Sequence, residues 1–302
     1  MQIALGCEAL GGTDWGNVDL DVARDAVRCA LQLGVTTFDT ADVYGLGRSE
    51  TELSCALGDD RHRVTIVTKG GLRWSSDGTS GRAAIVRDSS ASYLSSAIEN
   101  SLRRLRIDAI PLYLVHWPDD RTPIDETLDC LERAREAGKI RAYGLSNFGA
   151  SIVSDLSRSY PVRAVEGPLS LIDRESLLDD YKTMRRAGLL VLTYGPLAQG
   201  LLSGKYSAGS VFAETDRRGR LSHFLPASWE RNERILQTLR QVSREAGRTF
   251  AQVAIRWVLQ SGASSVVIVG ARSPVQVTEN VASLDWSLGD QQFQRLTAAG
   301  RP

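Results

Sequence analysis

Four ionisable side chains of different kinds stand at or just beyond the ends of three apolar runs. Asp39 closes the run at residues 35–39, and Tyr44 follows in the next loop. Lys69 closes residues 64–69 and His116 closes residues 110–116. A free phenol titrates near ~10, too high for an efficient acid at neutral pH. A neighbouring ammonium stabilises the phenolate, so Lys69 is the partner expected to acidify Tyr44, with Asp39 keeping Lys69 charged and in place. His116 is suited to bonding and orienting a carbonyl oxygen. Each residue alone has an ordinary explanation: a surface tyrosine, a core histidine, a structural ion pair. All four at strand ends describe a proton donor with its supports.

Such a set must be gathered on one face by the elements that carry it. Apolar runs alternate with amphipathic segments throughout. Strands are expected at 3–6, 35–39, 64–69, 110–116, 140–145, 162–166, 189–194 and 266–269. Helices are expected at 19–33, 49–57, 90–105, 124–137, 150–158 and 177–187, then at 228–246 and 249–260, with an added C-terminal helix at 290–298. Strict alternation predicts a parallel sheet, and eight strands fit a closed (β/α)8 TIM barrel whose strand ends converge on one face. A doubly wound sheet would need a glycine-rich phosphate turn after its first strand. The only candidate, Gly45-Leu46-Gly47, has Glu50 where its third glycine belongs. No linker divides the chain, so residues 1–302 read as one domain. A long polar break after the seventh strand, from Gly200 to about Ser228, exceeds a plain connector and is expected to be functional.

The segments DTADVYG (39–45), TKGG (68–71), LYLVHWPD (112–119) and GLSNF (144–148), in this order and with strand-like lead-ins, resemble the aldo-keto reductase superfamily. The resemblance extends over nearly the whole chain. It assigns Asp39, Tyr44, Lys69 and His116 the roles of the family's catalytic tetrad. It further implies that Ser146 and Asn147 bond a nicotinamide carboxamide, although these residues by themselves read as a cap for the next helix. Tyr194 matches the aromatic that stacks on the nicotinamide ring. Residues 195–206 resemble the pyrophosphate loop, with Pro196, Leu197, Gly204 and Lys205 as its cofactor contacts. Gly270, Arg272, Gln276, Glu279 and Asn280 resemble the adenosine-end segment. There a helix beginning near Ser273 would present its positive end to an anion, and Arg272 would offer a fork to a 2′-phosphate. NADPH is therefore expected rather than NADH. The sequence carries no metal or flavin signature, which also points to a nicotinamide as the hydride source.

Three departures from the resemblance stand out. Glu166 occupies a sixth-strand position where relatives usually carry Gln. A carboxylate accepts only, so Glu166 is expected either to take the carboxamide NH2, to be protonated, or to turn away. Glu8, after the first strand, replaces a large apolar pocket residue. It is expected either to line the substrate pocket, favouring hydroxylated or cationic substrates, or to be a surface carboxylate or the partner of a loop arginine. The first strand starts almost at Met1, without the usual hairpin plug, which leaves open what covers the barrel floor. Trp117, Trp74 and Phe148 also follow strand ends. Trp117 and Trp74 are candidate pocket residues, with a core role equally open for Trp74.

Composition narrows the partners. The 302 residues carry zero formal net charge, so neither nucleic acid nor an anionic membrane is expected as a partner. No apolar run suits a bilayer span or a leader, which makes cytoplasm the expected compartment. Four scattered cysteines without a CxxC pair read as free thiols. The expectation is a carbonyl reductase or alcohol dehydrogenase acting on a small polar aldehyde or ketone, such as a keto-sugar. A polyol dehydrogenase working oxidatively is one alternative. A nicotinamide-binding regulatory subunit like those of channels is another. Nothing in the sequence sets the oligomeric state.

Overall fold

The computed structural model describes residues 2–13, 15–16, 18–75, 84–174 and 177–299. Eight parallel strands close a barrel. In chain order they are β1 (Gln2–Gly6), β2 (Thr37–Asp39), β3 (Thr65–Gly70), β6 (Leu112–Val115), β7 (Tyr143–Ser146), β8 (Ala164–Pro168), β9 (Leu190–Tyr194) and β10 (Val266–Gly270). β10 pairs with β1 and completes the circle. The helices between them are α1 (Leu20–Gln32), α2 (Arg48–Leu57), α3 (Ala91–Leu105), α4 (Ile124–Glu136), α5 (Ala150–Ser159) and α6 (Leu177–Arg186), then α7 (Pro226–Ala246) and α8 (Phe250–Gln260). Two more, α9 (Pro274–Val281) and α10 (Asp290–Ala298), follow β10.

Local chemistry accounts for the starts of several helices. Asp19 accepts the Asp21 and Val22 amides at the head of α1, and Thr249 and Gln252 form a reciprocal capping box on α8. The arginine-rich end of α3 complements its dipole, and Arg104 there also binds the buried Glu50 at 2.6 Å.

Several expected strands are shorter in the structure. β6 spans only Leu112–Val115, and Ile110 makes an isolated parallel bridge to Ile140. Apolar runs outlast ladder pairing here because residues flanking a short parallel strand stay buried under helices. A second difference is an antiparallel hairpin, β4 (Leu72–Ser75) with β5 (Ala84–Arg87), directly after β3. β5 is exposed along its length, so burial left no hydrophobic alternation to reveal it.

Strand periodicity aims the site. The barrel interior is filled by Ala4, Val67, Leu112, Leu114, Ala164, Leu192, Val266 and Ile268. Two residues beyond four of these lie Lys69, His116, Glu166 and Tyr194, so alternation turns those side chains inward at the C-terminal end. At the other end Leu112 and Val266 are each only 5% exposed, so the floor of the barrel is closed to solvent.

The loop carrying Tyr44 is held from both sides. Asp42 N–H donates to the Lys69 carbonyl, Ser49 N–H donates to the Tyr44 carbonyl, and the Ser49 hydroxyl donates to the Cys7 carbonyl. Gly45 has φ +58°, and a methyl group there would lie 2.2 Å from the Gly11 carbonyl oxygen. Only glycine admits both this left-handed conformation and this approach. Gly45→Ala should therefore lower stability by about 1–3 kcal/mol in urea unfolding. A change below about 0.5 kcal/mol, the range of an ordinary surface substitution, would show that this backbone contact is not formed.

Candidate active site

Lys69 projects from β3 into the barrel, with a side chain that is 0% exposed. Its ammonium lies 2.8 and 2.7 Å from the two Asp39 oxygens and 3.0 Å from the Thr40 carbonyl, so all three donors are used. Burial alone would push this ammonium's pKa down. The charge of the Asp39 carboxylate, the largest opposing influence, overturns that and holds Lys69 protonated.

Tyr44 is half-buried, with the Lys69 ammonium 5.5 Å from its ring centroid. His116 stands edge-on to it, centroids 5.7 Å apart. The phenol is not acidified as the sequence suggested. Burial raises its pKa well above the ordinary value, Lys69 opposes that, and Glu8, Asp39 and Glu166 raise it further. Tyr44 is thus protonated at neutral pH. His116 is held neutral, first by burial and then by the charge of Lys69. Its backbone is fixed on both sides, N–H to the Gly70 carbonyl and C=O to the Asn147 amide.

Ser146, Asn147, Glu166 and Tyr194 form one polar chain. Ser146 Oγ donates to Glu166 Oε1 at 3.3 Å, and Asn147 Nδ2 donates to Ser146 Oγ and to the His116 carbonyl. Tyr194 donates to Asn147 Oδ1 at 2.8 Å. The Asn147 amide is therefore spent on bracing the strand ends. Neither Ser146 nor Asn147 caps the next helix, since Gly149 holds that position. Glu166 Oε1 lies 3.4 Å from Lys69, while its buried Oε2 has no hydrogen-bond partner among the described residues. Burial first, then Asp39, raise the Glu166 pKa to about 8, with Lys69 opposing.

Along the outer rim, residues 195–206 turn through Ala198 and Gln199, both with positive φ, leaving Pro196 buried, Leu197 half-buried, and Gly204 and Lys205 exposed. Ser273 caps α9 through the Gln276 amide, and the Gln276 side chain returns to the Arg272 N–H. Asn280 reaches the Gly270 carbonyl at 3.4 Å, and the Glu279 carbonyl accepts from Gln252. Arg272 spends one N–H on the Trp15 carbonyl at 3.1 Å. A nicotinamide nucleotide fits these residues. The orphaned Glu166 oxygen offers a buried acceptor to a donor, and Arg272 beside the start of α9 suits an anion.

The mouth holds contacts whose partners the sequence did not identify. Glu8 forms an ion pair with Arg217 of the long segment after β9, which is the loop-arginine pairing among its expected arrangements. The Arg217 guanidinium lies 4.7 Å from the Trp15 ring, and Trp15 bridges Asp216. The signal was the run Asp216-Arg217-Arg218 inside a break too long for a connector. Arg87, from β5, lies 5.2 Å over Trp117. Trp74 sits half-buried on the β4–β5 hairpin opposite Ile85, whereas Phe148 packs against the core outside the barrel.

Asp39, Tyr44, Lys69 and His116 thus meet at the strand ends of a closed (β/α)8 barrel, and comparison with known proteins shows the family to which that barrel belongs. The aldo/keto reductase family model matches residues 2–301. The aldo-keto reductase YhdN of Bacillus subtilis is 31% identical over 293 residues, covering 96% of this chain and 87% of its own. An NADH-specific methylglyoxal reductase of Escherichia coli is 30% identical, covering 96% and 91%. The structure of a glycerol dehydrogenase from Gluconobacter oxydans superposes with a TM-score of 0.87 at 34% identity, covering 97% of this chain and 89% of that one. The chain belongs to the aldo/keto reductase family, whose members are nicotinamide-dependent oxidoreductases.

A double-mutant cycle tests the mouth. Glu8→Leu and Arg217→Ala, singly and together, should give a coupling energy of about 0.5–1 kcal/mol in thermal or urea unfolding. Additive effects would mean that the pair is not formed in solution.

Proposed function

We propose that this chain is a single-domain, cytoplasmic, NADPH-dependent enzyme. It interconverts a small polar aldehyde or ketone with its alcohol, and Tyr44 is the general acid of the reductive direction. The observation that carries this reading is the buried Asp39–Lys69 pair beside a protonated Tyr44 and a neutral His116.

The nicotinamide supplies the hydride in reduction and takes it up in oxidation. Tyr44 gives its proton to the substrate oxygen, and Lys69 stabilises the phenolate that remains. Asp39 keeps Lys69 charged and aimed. Neutral His116 donates one N–H to the same oxygen and orients the carbonyl. Glu166 Oε2 takes an N–H of the carboxamide, Ser146 and Asn147 support that end, and Tyr194 stacks on the ring. Pro196, Leu197, Gly204 and Lys205 flank the pyrophosphate. Gly270, Gln276, Glu279 and Asn280 hold the adenosine end, where Arg272 reads a 2′-phosphate. Because the Escherichia coli relative is NADH-specific by name, the preference for NADPH rests on Arg272.

Trp117 and Trp74 form the substrate wall, and Glu8 with Arg217 forms the mouth. Charged groups around the opening argue for a hydroxylated substrate over a lipid-like one, since an alkyl chain would displace their water without replacing its hydrogen bonds. Likeness to a glycerol dehydrogenase favours a second reading, oxidation of a polyol, because the same residues serve both directions.

Purified protein screened with both nicotinamide pairs over aldehydes, ketones, keto-sugars and polyols tests the reading; absence of turnover on all of them would overturn it. Tyr44→Phe should lower turnover by about 100- to 10,000-fold and leave nucleotide affinity unchanged. Activity within a few-fold of the parent would remove Tyr44 as the acid. Arg272→Ala should weaken NADPH by about ten- to a hundredfold relative to NADH, the worth of a charge-assisted hydrogen bond. Equal losses for the two nucleotides would mean that Arg272 does not read the phosphate.

A further inference from the structure

The barrel interior confines two carboxyl groups, Asp39 and Glu166, with one ammonium, Lys69. Asp39 takes two of the three ammonium donors and the Thr40 carbonyl takes the third. Glu166 is left at 3.4 Å with Oε1 and has no partner for Oε2. A glutamine in its place would satisfy a carboxamide without charge. A glutamate adds a group whose charge depends on what lies beside it.

We propose that Glu166, shared between Lys69 and the nicotinamide end of the cofactor, makes this chain favour the cationic oxidised nicotinamide over the neutral reduced one. The inference rests on the nicotinamide reading given above. The physical reason is linkage. A cation beside Glu166 stabilises its carboxylate, and the carboxylate returns the same free energy as affinity for the cation. The reduced ring carries no charge and gains nothing.

The surroundings set the direction with pH. Facing Glu166 are Asp39 from β2, Lys69 from β3 and Tyr194 from β9, with Tyr44 in the loop after β2 and Tyr181 on α6 behind the strand. Both tyrosines on β9 and α6 and the phenol of Tyr44 have pKa values raised above the ordinary range, and His116 is neutral, so Glu166 is the group poised to change charge near neutrality. Without cofactor it titrates at about 8, hence it is mostly protonated at pH 7. Binding of the oxidised cofactor lowers that value and expels a proton. Affinity for the oxidised form therefore rises as pH increases through the window below about 8, then levels off. One unit of pKa displacement corresponds to about tenfold in affinity.

Equilibrium titrations of the purified protein with NADP+ and NADPH, and with NAD+ and NADH, at pH 6 to 9 test this. The 2′-phosphate titrates near ~6 in both members of a pair, so its effect cancels in the ratio of their affinities. The wild type should favour the oxidised form increasingly with pH, by about tenfold over the range. Glu166→Gln should show a flat ratio with both nucleotides still bound. Calorimetry of the wild type in two buffers of different ionisation enthalpy should show proton release with NADP+ and none with NADPH, a readout that needs no variant. A flat wild-type ratio without proton release, or a rise that persists in Glu166→Gln, overturns the role of Glu166 and leaves the nicotinamide reading standing. Failure of all four nucleotides to bind overturns both.

Discussion

The structure depends on keeping one ammonium inside a barrel. Lys69 has no access to water, and a buried charge is tolerated only when its donors are matched. The match comes from the neighbouring strand. β2 and β3 pair with Asp39 opposite Val67, which sets the Asp39 carboxylate beside the end of β3. The third donor needs the Thr40 carbonyl, so the chain leaving β2 must turn in a particular way. That turn carries Tyr44 and is locked by the contact of Gly45 with Gly11. An ion pair, a backbone carbonyl and a glycine contact thus place the phenol. A buried ion that loses its partner costs about 3–5 kcal/mol, so these features stand or fall together.

Electrostatics inside this frame are not those of a simple lysine and tyrosine couple. Burial dominates the Tyr44 phenol, and Glu8 and Asp39, joined by Glu166 once it ionises, oppose the single lysine that would acidify it. The phenol remains a proton holder until something draws on it. In the function proposed above, developing charge on a substrate oxygen is such a draw, and a low-dielectric site strengthens the response of Lys69 to it. Asn147 supports the same arrangement mechanically. Its amide ties His116, Ser146 and Tyr194 together, linking the ends of β6, β7 and β9.

The mouth follows different rules from the floor of the site. Its contacts come from segments far apart in the chain: Glu8 with Arg217, Arg272 with the Trp15 carbonyl, Arg87 with Trp117. They are partly exposed and individually weak. Rigid strand ends hold the buried polar groups, while loops frame the opening above them.

The barrel was legible in the sequence alone, as were Lys69 and His116 as ionisable residues closing its strands. The reason is local. Strand alternation aims Lys69, His116, Glu166 and Tyr194 inward, and a charged residue directly after an apolar run stays visible without knowledge of its neighbours. The resemblance to a family also rested on short contiguous motifs, which needed no tertiary information. Tertiary structure decided what pairing across the chain decides. It placed Arg217 on Glu8, spent the Asn147 amide on the protein, laid the β4–β5 hairpin beside the site, and kept the Tyr44 phenol protonated where the motif alone implied an acidified one. Each outcome depends on distances between residues tens to hundreds of positions apart and on how much water burial removes. Composition, periodicity and spacing carry neither quantity.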